Sequence, residues 1–112
     1  MNREYGLGEF EQMLLLTILQ LGEEAYGPVI SPYLERSVGR SVSRGALYAT
    51  LGRLEQKGLL RWHLEPGSEE RGGHRRRRFE VTRSGVAALR TYRSALQRLW
   101  SGLDRVLGEE GR

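Results

Sequence analysis

Cysteine is absent from the 112-residue chain, and histidine occurs only twice, at His63 and His74. Without cysteine the chain forms no disulfide, no thiolate metal site and no thiol nucleophile, and it is compatible with a reducing cytoplasm. The two histidines fall on a predicted strand and a predicted loop, without carboxylates at metal-ligand spacing. Glycine-rich phosphate loops, nucleophile elbows and paired-carboxylate motifs are missing as well. We therefore expect no catalytic residue, no metal and no cofactor, and a protein that is not an enzyme.

Long hydrophobic runs are also missing. The longest apolar stretch, Met13 to Leu21, is interrupted by Thr17 and Gln20, and it is too short to span a bilayer. The first residues do not form a charged and then apolar leader that ends in a cleavage site. These absences predict a cytoplasmic protein that has no membrane partner.

Positive charge exceeds negative charge and is concentrated in the middle of the chain. There are 18 Lys and Arg against 14 Asp and Glu, a net charge of +4 with a pI of about 10.0. Residues 40–83 hold eleven Lys or Arg and five Glu, whereas residues 1–39 hold two Arg and six Glu. Such a basic segment favours an anionic partner, nucleic acid before membrane. The length allows one domain, which would gain stability from a partner subunit.

Apolar spacing predicts a first helix with more than one apolar side. Apolar residues recur at steps of three and four before Gly22, a residue type that commonly ends helices. A helix with two apolar faces is usually buried between two bodies, here its own domain and a partner subunit. The regularly spaced residues are Leu7, Phe10, Leu14, Ile18 and Leu21, and the others are Met13, Leu15, Leu16 and Leu19.

Two further helices joined by a serine turn give the order of a helix-turn-helix. The second helix lies within residues 26–38, where Gly27-Pro28 suits a first turn and Gly39 ends the segment. The third helix is predicted from Arg44 to Lys57. Ser43 is its N-cap, because the serine hydroxyl accepts hydrogen bonds from amides of the first turn.

A β-hairpin and one long helix complete the predicted fold. Apolar and polar residues alternate in residues 60–64 and 76–81, on either side of a basic, glycine-containing tip. Thr82 is the expected cap of a helix from Arg83 to Leu107, about 37 Å long at a rise of about 1.5 Å per residue. Its apolar stripe outreaches the domain, so part of it is expected to pack on another chain. The predicted dimer seam contains Phe10, Leu14, Leu89, Leu96, Leu99, Leu103 and Val106.

These elements predict a mainly α fold with a small β-hairpin. Residues 1–83 form a winged helix-turn-helix, and residues 84–112 form a C-terminal dimerisation helix that belongs to the same structural domain. In winged-helix proteins the third helix enters the major groove, and the wing reaches phosphates or the minor groove. A DNA-binding protein is therefore the function that the order of elements predicts.

The outward side of the third helix suits contact with DNA. Gly45, Ala49 and Gly52 are small and would let the backbone approach base edges. A glycine inside a helix costs about 1 kcal/mol relative to alanine, so two of them outside the core indicate a function. The flanks carry groups for guanine or phosphate: Arg44 and Arg53 supply guanidinium groups, and Ser43 and Tyr48 supply hydroxyls.

The hairpin tip carries a second basic cluster, Arg71 and the run Arg75 to Arg78. Clustered arginines suit the narrow minor groove, where the potential is most negative. Strand alternation points Arg76 and Arg78 to one face of the hairpin and Arg77 to the other, so the whole run cannot contact one groove. The predicted DNA-binding residues are Ser43, Arg44, Gly45, Tyr48, Ala49, Arg53, Lys57, Arg71, Arg75, Arg76 and Arg77.

These motifs resemble the PadR family of transcriptional regulators over nearly the whole chain, about Leu7 to Leu107. The matching opening segments are residues 7–11, 14–16 and 24–27. The third helix and its end resemble the family at residues 43–51, 53–55 and 57–60, and the wing does so at 72–73, 76–82 and 85. The predicted single C-terminal helix is similar to the short form of the family.

The resemblance implies a bacterial homodimer of winged-helix domains that binds an inverted-repeat operator, usually as a repressor. Such a protein would be associated with the nucleoid when it is bound to DNA. The resemblance also implies that the C-terminal helix packs with the first helix of the partner. Some family members release DNA when small aromatic or drug-like molecules bind near the dimer interface. Trp100 is the candidate contact for such an effector, because an aromatic side chain can stack on a flat ligand. Its alternative role is dimer core.

Two positions depart from the family pattern. Arg83 stands where a proline often follows the threonine cap, and Arg78 stands where an aromatic residue often precedes Phe79. Arg78 either shifts the packing of the hairpin or adds a phosphate contact.

Two other functions compete with a sequence-specific regulator. One is a winged-helix dimer for protein–protein interaction, which should show apolar patches in place of the basic surface between Arg40 and Arg83. The other is a nonspecific architectural DNA binder, which would show steep salt dependence without a preferred sequence.

Overall fold

The structure, a computed structural model, describes residues 6–108 and has the predicted order of elements up to the last helix. Residues 1–5 of the predicted winged helix-turn-helix and residues 109–112 of the predicted dimerisation helix lie outside the described residues. The first three helices are α1, Glu9–Leu21, α2, Gly27–Val38, and α3, Arg44–Gln56. The hairpin consists of β1, Leu60–Glu65, and β2, Arg76–Val81, and it is followed by α4, Arg83–Trp100, and α5, Asp104–Leu107. The mainly α fold with a small β-hairpin is confirmed.

Side-chain caps fix the starts of the two helices that flank the hairpin. The Ser43 hydroxyl accepts a hydrogen bond of 3.1 Å from the Ala46 N–H, and the Thr82 hydroxyl accepts one of 3.0 Å from the Gly85 N–H. The Thr82 hydroxyl also donates to the Gly58 carbonyl over 2.7 Å, which ties the start of α4 to the end of α3. Both predicted caps are confirmed.

The core lies between the first three helices and the inner face of the hairpin. Leu14 and Leu15 of α1 are fully buried in it, so Leu14 packs within its own chain and its assignment to a dimer seam was wrong. The two apolar sides of α1 explain the error, since helical spacing does not tell which side faces the core. Other core members are Leu7, Ile18, Ala25, Ile30, Leu34, Leu47, Leu51, Leu54, Leu60 and Phe79.

The last helix ends earlier than its apolar stripe predicts. Helix α4 stops at Trp100, Ser101 is extended, and Gly102 has a φ of +79°, a conformation that glycine adopts without steric cost. The single helix from Arg83 to Leu107 was therefore wrong. The 18 residues of α4 span about 27 Å at a rise of about 1.5 Å per residue. Leu103 and Val106 lie beyond the break and are exposed.

The hairpin is attached to the helices by the segment that precedes α2. The strands β1 and β2 are antiparallel and pair from Leu60 with Val81 to Glu65 with Arg76. Tyr26 forms a bridge with Arg78 on the other edge of β2, and the Phe79 N–H donates to the Ala25 carbonyl over 2.8 Å. The wing is thus paired on both edges of β2.

Candidate nucleic-acid interface

Helix α3 buries its leucines and presents small residues to solvent. Leu47, Leu51 and Leu54 are buried, whereas Gly45 and Ala49 are exposed and Gly52 is half-buried. A Cβ added to Gly45 or Gly52 would meet no atom within 4 Å beyond its chain neighbours and the adjacent backbone of α3. The outward side of α3 is therefore a surface on which another molecule can approach the helix backbone.

An open cleft of about 440 Å³ separates the start of α3 from the wing. Tyr48 lines the cleft, and the Cζ atoms of Arg44 and Arg77 each lie 5.6 Å from the centre of the Tyr48 ring. Arg77 also lies 4.8 Å from the centre of the Trp62 ring. Aromatic faces attract guanidinium groups, so these rings position the Arg77 charge beside the cleft. The N-terminus of α3 adds a partial positive charge, and the cleft is suited to a phosphate.

Lys57, a predicted DNA contact, is engaged within the chain at the other end of α3. Its ammonium group donates to both carboxylate oxygens of Glu11, over 2.9 and 3.0 Å, and to the Gly6 carbonyl over 2.8 Å. Arg53 donates to the Thr50 hydroxyl over 3.0 Å and lies 3.7 Å from the same carboxylate. The Arg53 side chain is 56% exposed, so it remains accessible at the edge of the small face.

Glu11 joins α1 to the end of α3, and the sequence prediction missed it. The residue is only 6% exposed. Burial opposes its charge, but the Gly8 N–H, the Lys57 hydrogen bonds and the Lys57 and Arg53 charges together lower the pKa of the Glu11 carboxyl. Its position three residues after Gly8, the residue before the helix, is a capping pattern that could have identified it.

The wing tip is folded on itself by hydrogen bonds. Arg71 donates to the Pro66 carbonyl over 2.5 Å and to the His74 carbonyl over 3.3 Å, so its guanidinium group closes the loop. The Gly73 N–H donates to the Ser68 carbonyl over 2.7 Å. Among the predicted wing contacts, Arg75 is exposed and has no polar partner within residues 6–108.

The arginine run alternates between the two faces of the hairpin, as predicted. Arg77 shares the inner face with Phe79 and Trp62 and lies next to the α3 cleft. Arg76 and Arg78 are half-buried on the opposite face. The structure therefore brings Arg44, Tyr48 and Arg77 together with the small face of α3, and it separates Arg76 from them.

A second surface, formed by α1 and α4, is apolar and open. A groove of about 510 Å³ runs between the two helices, and Trp100 is part of it. Its apolar residues include Leu16, Leu19 and Leu96, which are 50%, 47% and 39% exposed. Of the predicted dimer residues, Leu99 is exposed, whereas Phe10 and Leu89 pack partly against the core. The groove residues are Gln12, Leu16, Leu19, Val86, Leu89, Arg90, Arg93, Leu96 and Trp100.

No helix among the described residues is long and apolar enough to cross a membrane.

Comparison with known proteins identifies the family of the chain. The model of the transcriptional regulator PadR-like family matches residues 15–91, and no curated protein matches. A PadR-like transcriptional regulator from Bacillus cereus is 25% identical with a TM-score of 0.69, and the match covers 92% of this chain and 93% of that one. A PadR family regulator from Eggerthella lenta is 26% identical, with a TM-score of 0.65 and coverage of 93% and 88%.

A third solved structure supports the fold. A PadR-like transcription factor from Bacteroides fragilis is 23% identical with a TM-score of 0.68, over 87% of this chain and 88% of that one. The predicted resemblance and the winged-helix fold are both confirmed. The chain belongs to the PadR-like family of transcriptional regulators, and it is a DNA-binding transcription regulator.

Proposed function

We propose that the chain is a homodimeric repressor that binds an inverted-repeat operator in the bacterial cytoplasm. The small face of α3 enters the major groove and approaches base edges, and the wing contacts phosphates or the minor groove. The observation that carries the proposal is the exposed, unobstructed face around Gly45 and Gly52 with the Arg44 and Arg77 guanidinium groups beside it.

The distribution of charge supports a DNA-binding surface in this place. Residues 40–83 hold the excess of basic residues, and the cleft beside α3 contains two of their guanidinium groups at Tyr48. The larger exposed apolar groups lie mainly on α1, α4 and α5. A protein-interaction surface in place of the DNA interface would be expected to show its apolar patch on α3.

Variants of α3 and of the wing should differ in how they bind DNA, because α3 reads bases and the wing contacts phosphates. Arg53→Ala should weaken binding to the operator more than binding to random DNA, because a base contact discriminates between sequences. The double change of Arg75 and Arg77 to alanine should weaken both alike. Titration of a labelled operator duplex and a random duplex of equal length measures both effects. Equal losses on the two duplexes for Arg53→Ala would show that this residue does not read bases.

The apolar groove between α1 and α4 supports the proposed dimer. Leu16, Leu19, Leu96 and Trp100 together expose a contiguous apolar surface that a monomer would leave in water. Burial of such a surface is worth about 25 cal/mol per Å². An isologous dimer would place α4 of one subunit against α1 of the other, so that the grooves of both subunits are covered.

Sedimentation of charged variants tests the dimer. Leu96→Glu should produce a monomer, since the carboxylate would be buried in the apolar groove. Thr91→Glu is the matched control, because Thr91 is an exposed residue of α4 that does not line the groove. The proposed dimer has twice the 12.8 kDa mass of the chain. A Leu96→Glu protein that sediments as an unchanged dimer would place the interface elsewhere.

The groove also supports the proposal of an aromatic effector at Trp100. The indole is 52% exposed and lines the groove, so a flat ligand could stack on it. Trp100→Ala should abolish release of DNA by such a ligand while DNA binding itself persists. Unchanged release by every aromatic compound that acts on the wild type would assign Trp100 to the dimer core.

A further inference from the structure

The outer face of the hairpin, which points away from the α3 cleft, holds a connected polar cluster. The Glu65 carboxylate accepts hydrogen bonds from Arg78 Nε over 2.7 Å and from the Tyr26 hydroxyl over 2.8 Å. The Arg78 and Glu65 side chains are only 22% and 28% exposed. Arg78 Nη2 also lies 2.6 Å from His63 Nε2. The hydrogen bonds from Arg78 and Tyr26 lower the pKa of the Glu65 carboxyl.

Arg76 belongs to the same cluster. Its Cζ atom lies 3.5 Å from the centre of the Tyr26 ring, and its Nε is buried. An arginine in this position is held by ring contact and is half-covered by the protein. A phosphate contact would require the guanidinium group to leave the ring, whereas the exposed Arg75 is accessible without rearrangement.

Tyr26 connects this cluster to the helix-turn-helix. The residue is 6% exposed, precedes the first residue of α2, and forms the bridge with Arg78. Glu65 lies at the far end of β1, next to the wing tip. The Tyr26–Glu65 hydrogen bond therefore joins the outer half of the wing to the start of α2. Because Arg77 stands on the opposite face of the same strand, this connection also sets where Arg77 lies relative to α3.

We propose that the arginine run is divided by role. Arg76 and Arg78, together with Tyr26 and Glu65, form a brace that fixes the wing relative to α3, while Arg75 and Arg77 contact DNA phosphates. The residues of the brace are positioning residues. The proposal rests on the proposed DNA-binding role of α3 and the wing.

Neutralisation of Glu65 distinguishes a wing that is positioned by the brace from a wing that acts only through its net charge. Removal of a negative charge from the wing should strengthen DNA binding if the wing acts only through its net charge. The brace predicts the opposite sign: Glu65→Gln should weaken binding about three- to tenfold, because Arg78 and Tyr26 lose their shared carboxylate. Glu80→Gln is the matched control, since Glu80 lies on the same face, hydrogen-bonds the exposed Arg61, and acts on Arg78 through its charge without a hydrogen bond among the described residues. It should leave affinity unchanged or slightly higher.

The salt dependence of binding distinguishes positioning residues from phosphate contacts. Each phosphate contact contributes about 0.9 to the slope of log affinity against log salt concentration. Arg75→Ala and Arg77→Ala should each lower that slope by about this amount. Tyr26→Phe and Glu65→Gln should weaken binding without a change in slope. An unchanged or improved affinity for both brace variants, or a slope lowered by about 0.9 in Arg78→Ala, which would make Arg78 a phosphate contact, would overturn the proposal.

Hydrogen exchange of the DNA-free protein tests the brace independently of the proposed function. Amides of β1 and β2 should exchange several-fold faster in Glu65→Gln than in Glu80→Gln, because only the first variant detaches the wing. Equal exchange in the two variants would refute the brace even if both bind DNA. If the wild-type protein binds no duplex at low salt, the DNA-binding proposal fails, and a difference in exchange would still support the brace.

Discussion

The two glycines on the outward side of α3 should lower the stability of the fold and favour DNA binding. Gly45 and Gly52 lie in a helix, and a methyl group at either position would meet no atom within 4 Å beyond its chain neighbours and the adjacent helix backbone. Replacement of both by alanine should therefore stabilise the fold by about 1 to 2 kcal/mol, with the smaller share at Gly45 in the first turn. For a domain of this size the melting temperature should rise by roughly 5 to 10 °C.

The same substitution should weaken DNA binding. Two methyl groups on the face that approaches base edges would hold the backbone away from the major groove and lengthen its contacts. A loss of about 1.4 kcal/mol in binding corresponds to about a tenfold rise in Kd, and we expect at least that for the double variant. The measurements are thermal unfolding by circular dichroism and titration of the operator duplex by fluorescence anisotropy at one salt concentration.

Thr91→Ala is the control for this experiment. Thr91 is an exposed position of α4, away from α3, and alanine is also the better helix former there. This variant should be more stable and should bind DNA with unchanged affinity. If the double alanine variant is more stable and binds the operator as tightly as the wild type, the small face of α3 does not approach DNA and the reasoning is refuted.

Three further variants test how α3 and α4 are held. Glu11→Gln should lower the free energy of unfolding by about 2 kcal/mol at neutral pH, because Lys57 loses a buried carboxylate. Since the pKa of Glu11 is lowered in the fold, its contribution is complete above the ordinary value of 4.5 and is lost as the pH falls through the folded value, so denaturation curves of the two proteins should converge in acid. Gly85→Ala should cost about 1 to 3 kcal/mol, because its Cβ would overlap the Leu59 carbonyl, and a protein of unchanged stability would contradict that packing. Ser43→Ala should cost about 1 kcal/mol in urea denaturation through loss of the α3 cap, and no loss would mean that another group satisfies the Ala46 N–H.

Local signals in the sequence were sufficient for most of the fold. Ser43 and Thr82 mark helix starts by short-range hydrogen bonds, and alternation in residues 76–81 places Arg77 and Phe79 on the same face of β2. The break at Gly102 was missed because a glycine inside a helix costs only about 1 kcal/mol, and a regular apolar stripe can outweigh that. Whether the chain continues as a helix or breaks at Gly102 depends on contacts that cannot be inferred from the spacing of apolar residues.

The unpredicted parts of the site depend on residues that are distant in sequence. Lys57 and Glu11 are 46 residues apart, and Tyr26 and Glu65 are 39 apart. Charge and position on α3 predicted a DNA contact for Lys57, but the pattern contains no information about the carboxylate that α1 brings to it. Arg76 was likewise predicted to contact DNA, because only the folded chain shows that Tyr26 covers its side of the hairpin.

The central claim is that α3 reads one DNA sequence while the wing contacts the DNA beside it. The most direct test is to titrate the full chain with its own upstream DNA and with random DNA of equal length, over a series of salt concentrations. We predict one dimer per site, at least about a thousandfold preference for the upstream site at physiological salt, and a linear fall of log affinity with log salt for both duplexes. Equal affinity for the two duplexes at every salt concentration would contradict the claim and would indicate a nonspecific architectural protein.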